Sequence, residues 1–239
     1  MTRKDDVAFL LDVDNTLLDN DRVHDDLSEH LERQLGAASR DRYWAMFEAL
    51  RAEVGYADYL GALQRFRCAE PGSAMNDPRL LLLSSFLLDY PFADRLYPGA
   101  LAALAHLRNW GPTVIVSDGD VVLQPRKVQH SGLWDAVDGR VLIYVHKEHM
   151  LADLERRYPA RHYVMVDDKL RILAAMKELL PDRLTTVFPR QGHYAHDARE
   201  LAAHPPADLA IERIGDLLDC DLRALLGPAG AGAGEGGTR

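Results

Sequence analysis

The sequence predicts an α/β protein: a Rossmann-like parallel sheet with helices on both faces, plus an inserted α-helical cap. Three observations lead there. Short continuous apolar runs, the pattern of strands buried on both faces, alternate with stretches of helical periodicity. That alternation stops for about 75 residues after the first run, where only helical patterns occur. The chain's 239 residues, 47% apolar and 27% charged, exceed the roughly 100 to 200 of a common domain and leave room for a core carrying an insertion.

The first run, Val7-Ala8-Phe9-Leu10-Leu11-Asp12-Val13, ends in acids and turn formers. Helical segments follow over 23–35, 41–54, 56–67 and 78–88, which defines a helical insertion at 20–95. A helix begins near Pro98, and further buried strands are expected at 113–116, 141–145 and 163–166. Residues 169–180 read as a helix, with Ile172, Leu173, Met176, Leu179 and Leu180 on one side and Pro181 as its stop. Weaker strand patterns lie at 184–188 and 209–211. The core thus comprises 1–19 and 96–226. Residues 227–239 hold six of the 17 glycines and no large apolar residue, the composition of a disordered tail.

Composition narrows the partners. With 28 basic and 37 acidic residues the formal charge is −9, so a nucleic-acid backbone or an anionic lipid surface would meet a repulsive field. The longest apolar stretch, 80–88, has seven apolar residues in nine, against about 20 needed to span a bilayer. The apolar run at 7–11 is too short for a secretory leader. Cys68 and Cys220 make neither a disulfide framework nor a zinc spacing, and both are expected to be reduced, buried thiols. A cytoplasmic monomer or homodimer acting on a small molecule is the expectation.

Ligands of open parallel sheets bind beyond the carboxyl ends of the strands. Each of the four strong strands ends there in reactive groups: Asp12-Val13-Asp14-Asn15-Thr16, Ser117-Asp118-Gly119-Asp120, His146-Lys147-Glu148 and Asp167-Asp168-Lys169. Asp12 and Asp14, two apart on an extended segment, point the same way. Adding Asp167 and Asp168 brings together a repulsion that a hard cation relieves, and Mg²⁺ suits carboxylates, a carbonyl and waters. These are the parts of phosphoryl transfer: Asp12 as nucleophile, Asp14 as proton donor and base, and Ser117 and Lys147 on phosphate oxygens. Only five lysines exist, at 4, 127, 147, 169 and 177, so Lys127 and Lys169 are the rivals of Lys147. His146 with His149, and His193 with His196, have i, i+3 spacing but no third ligand, and read as surface histidines.

Asp12-Val13-Asp14-Asn15-Thr16-Leu17-Leu18-Asp19 resembles the first motif of the haloacid dehalogenase-like hydrolases, and the other three motifs follow in that family's order over about residues 7 to 215. The resemblance implies an aspartyl-phosphate on Asp12. It implies Mg²⁺ held by Asp12, the Asp14 carbonyl and an acid from Asp167 and Asp168, with phosphate contacts from Asn15, Ser117, Asp118 and Lys147. It also implies a cap that closes over a small phosphorylated metabolite. The residue four beyond Asp167 is Arg171, so Asp168 must supply the second carboxylate of the fourth motif.

Within the family, dehalogenases lack an acid matching Asp14 and need no metal, and phosphonate-cleaving members use a cap lysine, whereas 20–95 contains none. A phosphatase is therefore the leading expectation. A phosphomutase shares Asp12 and Asp14. A receiver-like phosphate-binding module would be about half as long, with an adjacent acid pair before its phospho-acceptor.

Overall fold

The computed structural model describes residues 6–69 and 76–225. The expected tail at 227–239 lies outside them. Six strands, β1 (Val7–Leu11), β2 (Thr113–Asp118), β3 (Val141–Tyr144), β4 (His162–Val166), β5 (Leu184–Pro189) and β6 (Leu209–Ile211), form one sheet in the order β3-β2-β1-β4-β5-β6. Every pairing is parallel. All six apolar runs are strands, the two weakly patterned ones at the β5 and β6 edge.

Alternation along β1 divides the interior. Val7, Phe9 and Leu11 join Ile115, Val164 and Val166 on one face, and Ala8 and Leu10 join Val114, Val116, Tyr163 and Met165 on the other. All five β1 residues are buried, as are all five of β4, so the strands that deliver Asp12 and the fourth-motif acids are both fixed in the core.

After β1 the chain forms the helices α1 (Asn20–Leu35), α2 (Ala37–Val54), α3 (Tyr59–Ala69) and α4 (Pro78–Leu88) before it returns to the sheet region. The Asp19 carboxylate accepts from the Arg22 amide at 2.9 Å and starts α1. Asp77 caps α4, whose first residue is Pro78, where a missing N–H costs nothing. α2 begins four residues before the expected 41 because Gly36, at φ +84°, both ends α1 and starts α2 without a loop. Leu27, Phe47, Tyr59, Phe66 and Leu83 share one apolar cluster that continues into the β1 side of the core.

The chain leaves and re-enters the sheet region through a two-stranded neck. Asp19 N–H donates to the Arg95 carbonyl at 2.8 Å, Tyr97 N–H to Leu17 at 3.0 Å, and Leu18 bridges Leu96 antiparallel. Beyond the neck, α5 (Ala100–Leu107), α6 (Leu123–His130) and α7 (Leu133–Ala136) supply apolar residues to the first face of the sheet, and α8 (Leu151–Arg157) and α9 (Leu170–Leu179) to the second. The short α10 (Ala198–Ala203) and α11 (Leu222–Leu225) complete the chain order.

Two expectations need correction. Cys68 is exposed, because it lies two residues past buried Phe66 and so on the opposite side of α3, and Cys220 is only half-buried. Among the described residues no helix is long and apolar enough to cross a membrane.

Candidate active site

The strand order reverses at β1, since the chain passes to β2 and β3 on one side and then to β4 on the other. Loops at the carboxyl ends of β1 and β4 diverge there and leave a crevice. Asp12 continues β1 into it, held by its N–H to the Val166 carbonyl at 3.0 Å. Asp167 and Asp168 enter from β4, and one carboxylate oxygen from each of the three acids lies within 4.8 Å of the others. The Asp168 N–H donates to the Thr16 hydroxyl at 3.0 Å, which locks the first and fourth motifs together.

Lys147 sits among these acids. After β3, His146 takes a left-handed conformation (φ +60°) and a single 3₁₀ turn, Lys147–His149, folds the lysine inward. Its ammonium meets Asp12 Oδ1 at 2.5 Å and Asp167 Oδ2 at 2.7 Å, with all three side chains buried. Burial disfavours the ammonium, yet Asp12, Asp167 and Asp118 outweigh that and hold its pKa above the ordinary lysine value. Lys169 is likewise pulled up against burial by Asp168, Asp12 and Asp167. Burial, opposed by the neighbouring lysines, raises the Asp167 carboxyl and pushes that of Asp168 well above the carboxylate range.

The donor set fits a hard divalent cation. Among the described residues Asp12 Oδ2 and both oxygens of Asp168 are buried without a hydrogen-bond partner, a costly arrangement for protein alone. Asp12, Asp118, Asp167 and Asp168 face two ammonium groups, Lys147 and Lys169, which leaves two excess negative charges if all are ionised. All-carboxylate oxygen donors suit magnesium rather than a soft metal.

Ser117 closes the opposite wall, its hydroxyl 3.5 Å from Asp12 Oδ1 and receiving a hydrogen bond from Gln124 Nε2 at 2.9 Å. Asp14 stands at the cavity edge and is held by Lys127, not by Lys147. The Lys127 ammonium, 1% exposed, lies 2.6 Å from Asp14 Oδ1 and 2.9 Å from Asn20 Oδ1. Of the rival lysines, then, Lys147 touches Asp12, Lys127 touches Asp14, and Lys169 lies with its ammonium over the Tyr194 ring.

Asn15 and Asp118 are engaged otherwise than the phosphate contacts expected of them. The Asn15 N–H donates to the Leu18 carbonyl at 2.7 Å, and its side chain accepts from the Asn20 and Asp21 amides while donating to Asp21. It therefore organises the start of α1. The Asp118 carboxylate accepts from the Lys147 N–H at 2.7 Å, and burial raises its pKa, so it shapes the lysine turn. An anionic side chain in that place would repel phosphate rather than bind it.

Sequence reasoning missed Gln124 and the pair Asp21–His193, in which the ring Nδ1 and carboxylate Oδ1 are 2.6 Å apart, and it named Lys127 only as a rival for the phosphate and Thr16 only as part of the first motif. The i, i+3 spacing of Gln124 and Lys127 on the helix after the second motif was the available signal. A cavity of about 700 Å³ opens over the carboxylates, lined from the helical insertion by Phe47, Arg51, Tyr56 and Tyr59 and from the sheet side by Lys169 and Tyr194. A shallower hollow around Phe86 and Tyr90 lies away from them.

A family model described as haloacid dehalogenase-like hydrolase matches residues 7–179. A solved haloacid dehalogenase-like hydrolase from Burkholderia xenovorans LB400 is 65% identical, with 92% of this chain and 99% of that one covered and a TM-score of 0.86. The HAD-hydrolase YfnB from Bacillus subtilis, bound to magnesium, is 16% identical over 90% and 98% of the two chains, at a TM-score of 0.62. The L-2-haloacid dehalogenase of Xanthobacter autotrophicus is 22% identical over 88% and 96%, at 0.54. No curated protein matches. The matched span and the 65% identity make the chain a member of the haloacid dehalogenase-like hydrolases.

Proposed function

We propose that this hydrolase is a magnesium-dependent phosphatase of a small phosphomonoester. The observation that carries the reading is the second acid, Asp14, two residues beyond the buried Asp12 and facing the cavity beside an unsatisfied carboxylate cluster. Displacement of a halide needs no proton donor for the leaving group, whereas release of an alkoxide does.

A carboxylate oxygen of Asp12 attacks phosphorus, the bond from phosphorus to the ester oxygen breaks, and Asp14 gives its proton to that oxygen. Water then attacks the aspartyl-phosphate and yields a proton to Asp14. The acyl oxygen–phosphorus bond breaks, which restores Asp12 and releases phosphate. Ser117 and Lys147, both at Asp12 Oδ1, hold the transferring group's oxygens. Asp12, Asp167, Asp168 and the Asp14 carbonyl would hold Mg²⁺, which when bound offsets the repulsion between carboxylate and phosphate. The insertion acts as the cap, with Phe47, Arg51, Tyr56 and Tyr59 selecting the substrate, and residues 20–95 and the remainder form two units.

A panel of phosphorylated metabolites and L-2-haloacids, each with Mg²⁺ or chelator, tests the reading. Phosphate release that needs Mg²⁺ and is lost in Asp12→Asn is expected, with a strong fall in Asp14→Asn. Haloacid turnover in chelator, or full phosphatase activity in Asp12→Asn, would sink it.

A further inference from the structure

We propose that Lys127 is a positioning residue for Asp14, and that through Asn20 it couples the acid/base to the placement of the helical insertion. The inference rests on the role given to Asp14 above.

Three observations converge. First, Lys127 is a buried cation that touches neither Asp12 nor the fourth-motif acids; among the described residues its ammonium bonds Asp14 Oδ1 at 2.6 Å and Asn20 Oδ1 at 2.9 Å. A lysine seldom gives up its hydration without a partner that needs it, and here that partner is a carboxylate facing the cavity. Second, the contact is selective. Lys127 pins Oδ1, while among the described residues Oδ2 has only the 3.5 Å approach of Gln124 Nε2, so the oxygen left to exchange a proton is Oδ2. Gln124 and Lys127 lie one turn apart on α6, and the same Gln124 amide reaches Ser117. One helix face therefore orients both the acid/base and the phosphate-side hydroxyl.

Third, Asn20 belongs to the insertion. It is the first residue of α1, its Nδ2 donates to the Tyr59 hydroxyl on α3 at 3.3 Å, and its N–H donates to Asn15 at 3.0 Å. Asp14, Lys127, Asn20 and Tyr59 thus form a chain of polar contacts from the reacting end of β1 to the inner helices of the insertion. A shift of α1 relative to α6 changes what holds Asp14, so the proton donor is set only when the insertion is seated. Lys127 does this through Asp14 and has no part in the chemistry itself.

The test is a double-mutant cycle on the full chain with Mg²⁺, using Lys127→Met, which keeps the length of the buried stem, together with Asp14→Asn and the pair combined. A misplaced acid/base costs on the order of 10²-fold in turnover, so Lys127→Met is expected to lower kcat by about that factor with KM changed less than about threefold. In the Asp14→Asn background the same change should cost nothing further, because the group it positions is already gone. Lys127→Arg should recover part of the rate. Asn20→Ala, which leaves Lys127 buried, should also lower kcat and serves if Lys127→Met fails to fold. Hydrogen exchange of the Asn20 and Asp21 amides, read without substrate, should quicken in Lys127→Met. Losses that multiply in the double variant, a fall confined to KM, or unchanged exchange at α1 would each overturn the inference while leaving the phosphatase reading intact. Absence of any phosphatase activity in the wild type would overturn both.

Discussion

Replacing Lys147 by methionine is the sharpest test of how the carboxylate cluster is held. The substitution preserves most of the side-chain volume, so cavity and overpacking costs stay small. What it removes is one positive charge shared by Asp12 at 2.5 Å and Asp167 at 2.7 Å, at a place where the lysine is 1% exposed and the acids 4% and 0%. Deleting one partner of a buried ion pair costs about 3–5 kcal/mol, since the remaining charge has neither water nor counter-ion. For a chain of this size about 1 kcal/mol moves the unfolding midpoint by roughly 2–4 °C, so the fall is on the order of 6–20 °C. Thermal unfolding followed by circular dichroism in chelator reads it directly. Repeating the melt with millimolar Mg²⁺ should return part of the loss, because a dication bound to Asp12 and Asp168 replaces the missing charge and stabilises only the folded state. A fall below about 1 kcal/mol in chelator would refute the reasoning, since it would mean that the acids are satisfied without Lys147. A loss that Mg²⁺ deepens would refute the cation assignment.

Further outcomes are expected elsewhere. Gly192→Ala should destabilise by about 1–3 kcal/mol in urea unfolding, because Gly192 sits at φ +69° and an added Cβ would lie 2.5 Å from the Asn15 side chain. Burial raises the Asp21 carboxyl, but hydrogen bonds from His193 and Asn15 outweigh it and hold the group below its ordinary value. That contribution is present above the unfolded pKa of about 3.9 and is lost as pH falls through the lower folded value. Urea midpoints should therefore drop less between pH 6 and pH 3 in Asp21→Asn than in the wild type. Leu27→Ala, which empties a fully buried position between α1 and the rest of the insertion's apolar cluster, should cost about 2–5 kcal/mol in the same assay.

The sheet was legible because a strand buried on both faces must be a continuous apolar run, as in β1 and β4, and the three-residue β6 is apolar throughout although only Ile211 of it is buried. The insertion was legible as an interval where that mark is missing. Asp12, Ser117, Lys147, Asp167 and Asp168 were legible for a related reason: each follows such a run at its carboxyl end, and they do converge on one crevice. The partners were not. Asn15 was expected to face phosphate, but its amide and side chain are consumed by Leu18, Asn20 and Asp21, a result of its φ of +60° that no pattern announces. Asp118 is spoken for by an N–H 29 residues away. Lys127 differs from an ordinary helix lysine only in the rotation of α6 about its axis, which is set by the packing of Leu123 and Val128 rather than by its own neighbours. Substrate identity lies deeper still, because the cavity draws its lining from the insertion and from loops after several strands.

The neck at Leu17–Asp19 and Arg95–Tyr97 bears on how such a chain can change over time. Its backbone hydrogen bonds bring the two ends of residues 20–94 side by side, so to the sheet that whole stretch is a loop already closed. Closing a loop costs entropy that grows only with the logarithm of its length, about 0.6 kcal/mol for each doubling. Residues can therefore be added to or taken from the helices beyond the neck at little expense to the sheet, provided the segment still buries its own apolar face. The helices that line the cavity from the insertion and the strand that holds Asp12 are in that sense free to vary at different rates.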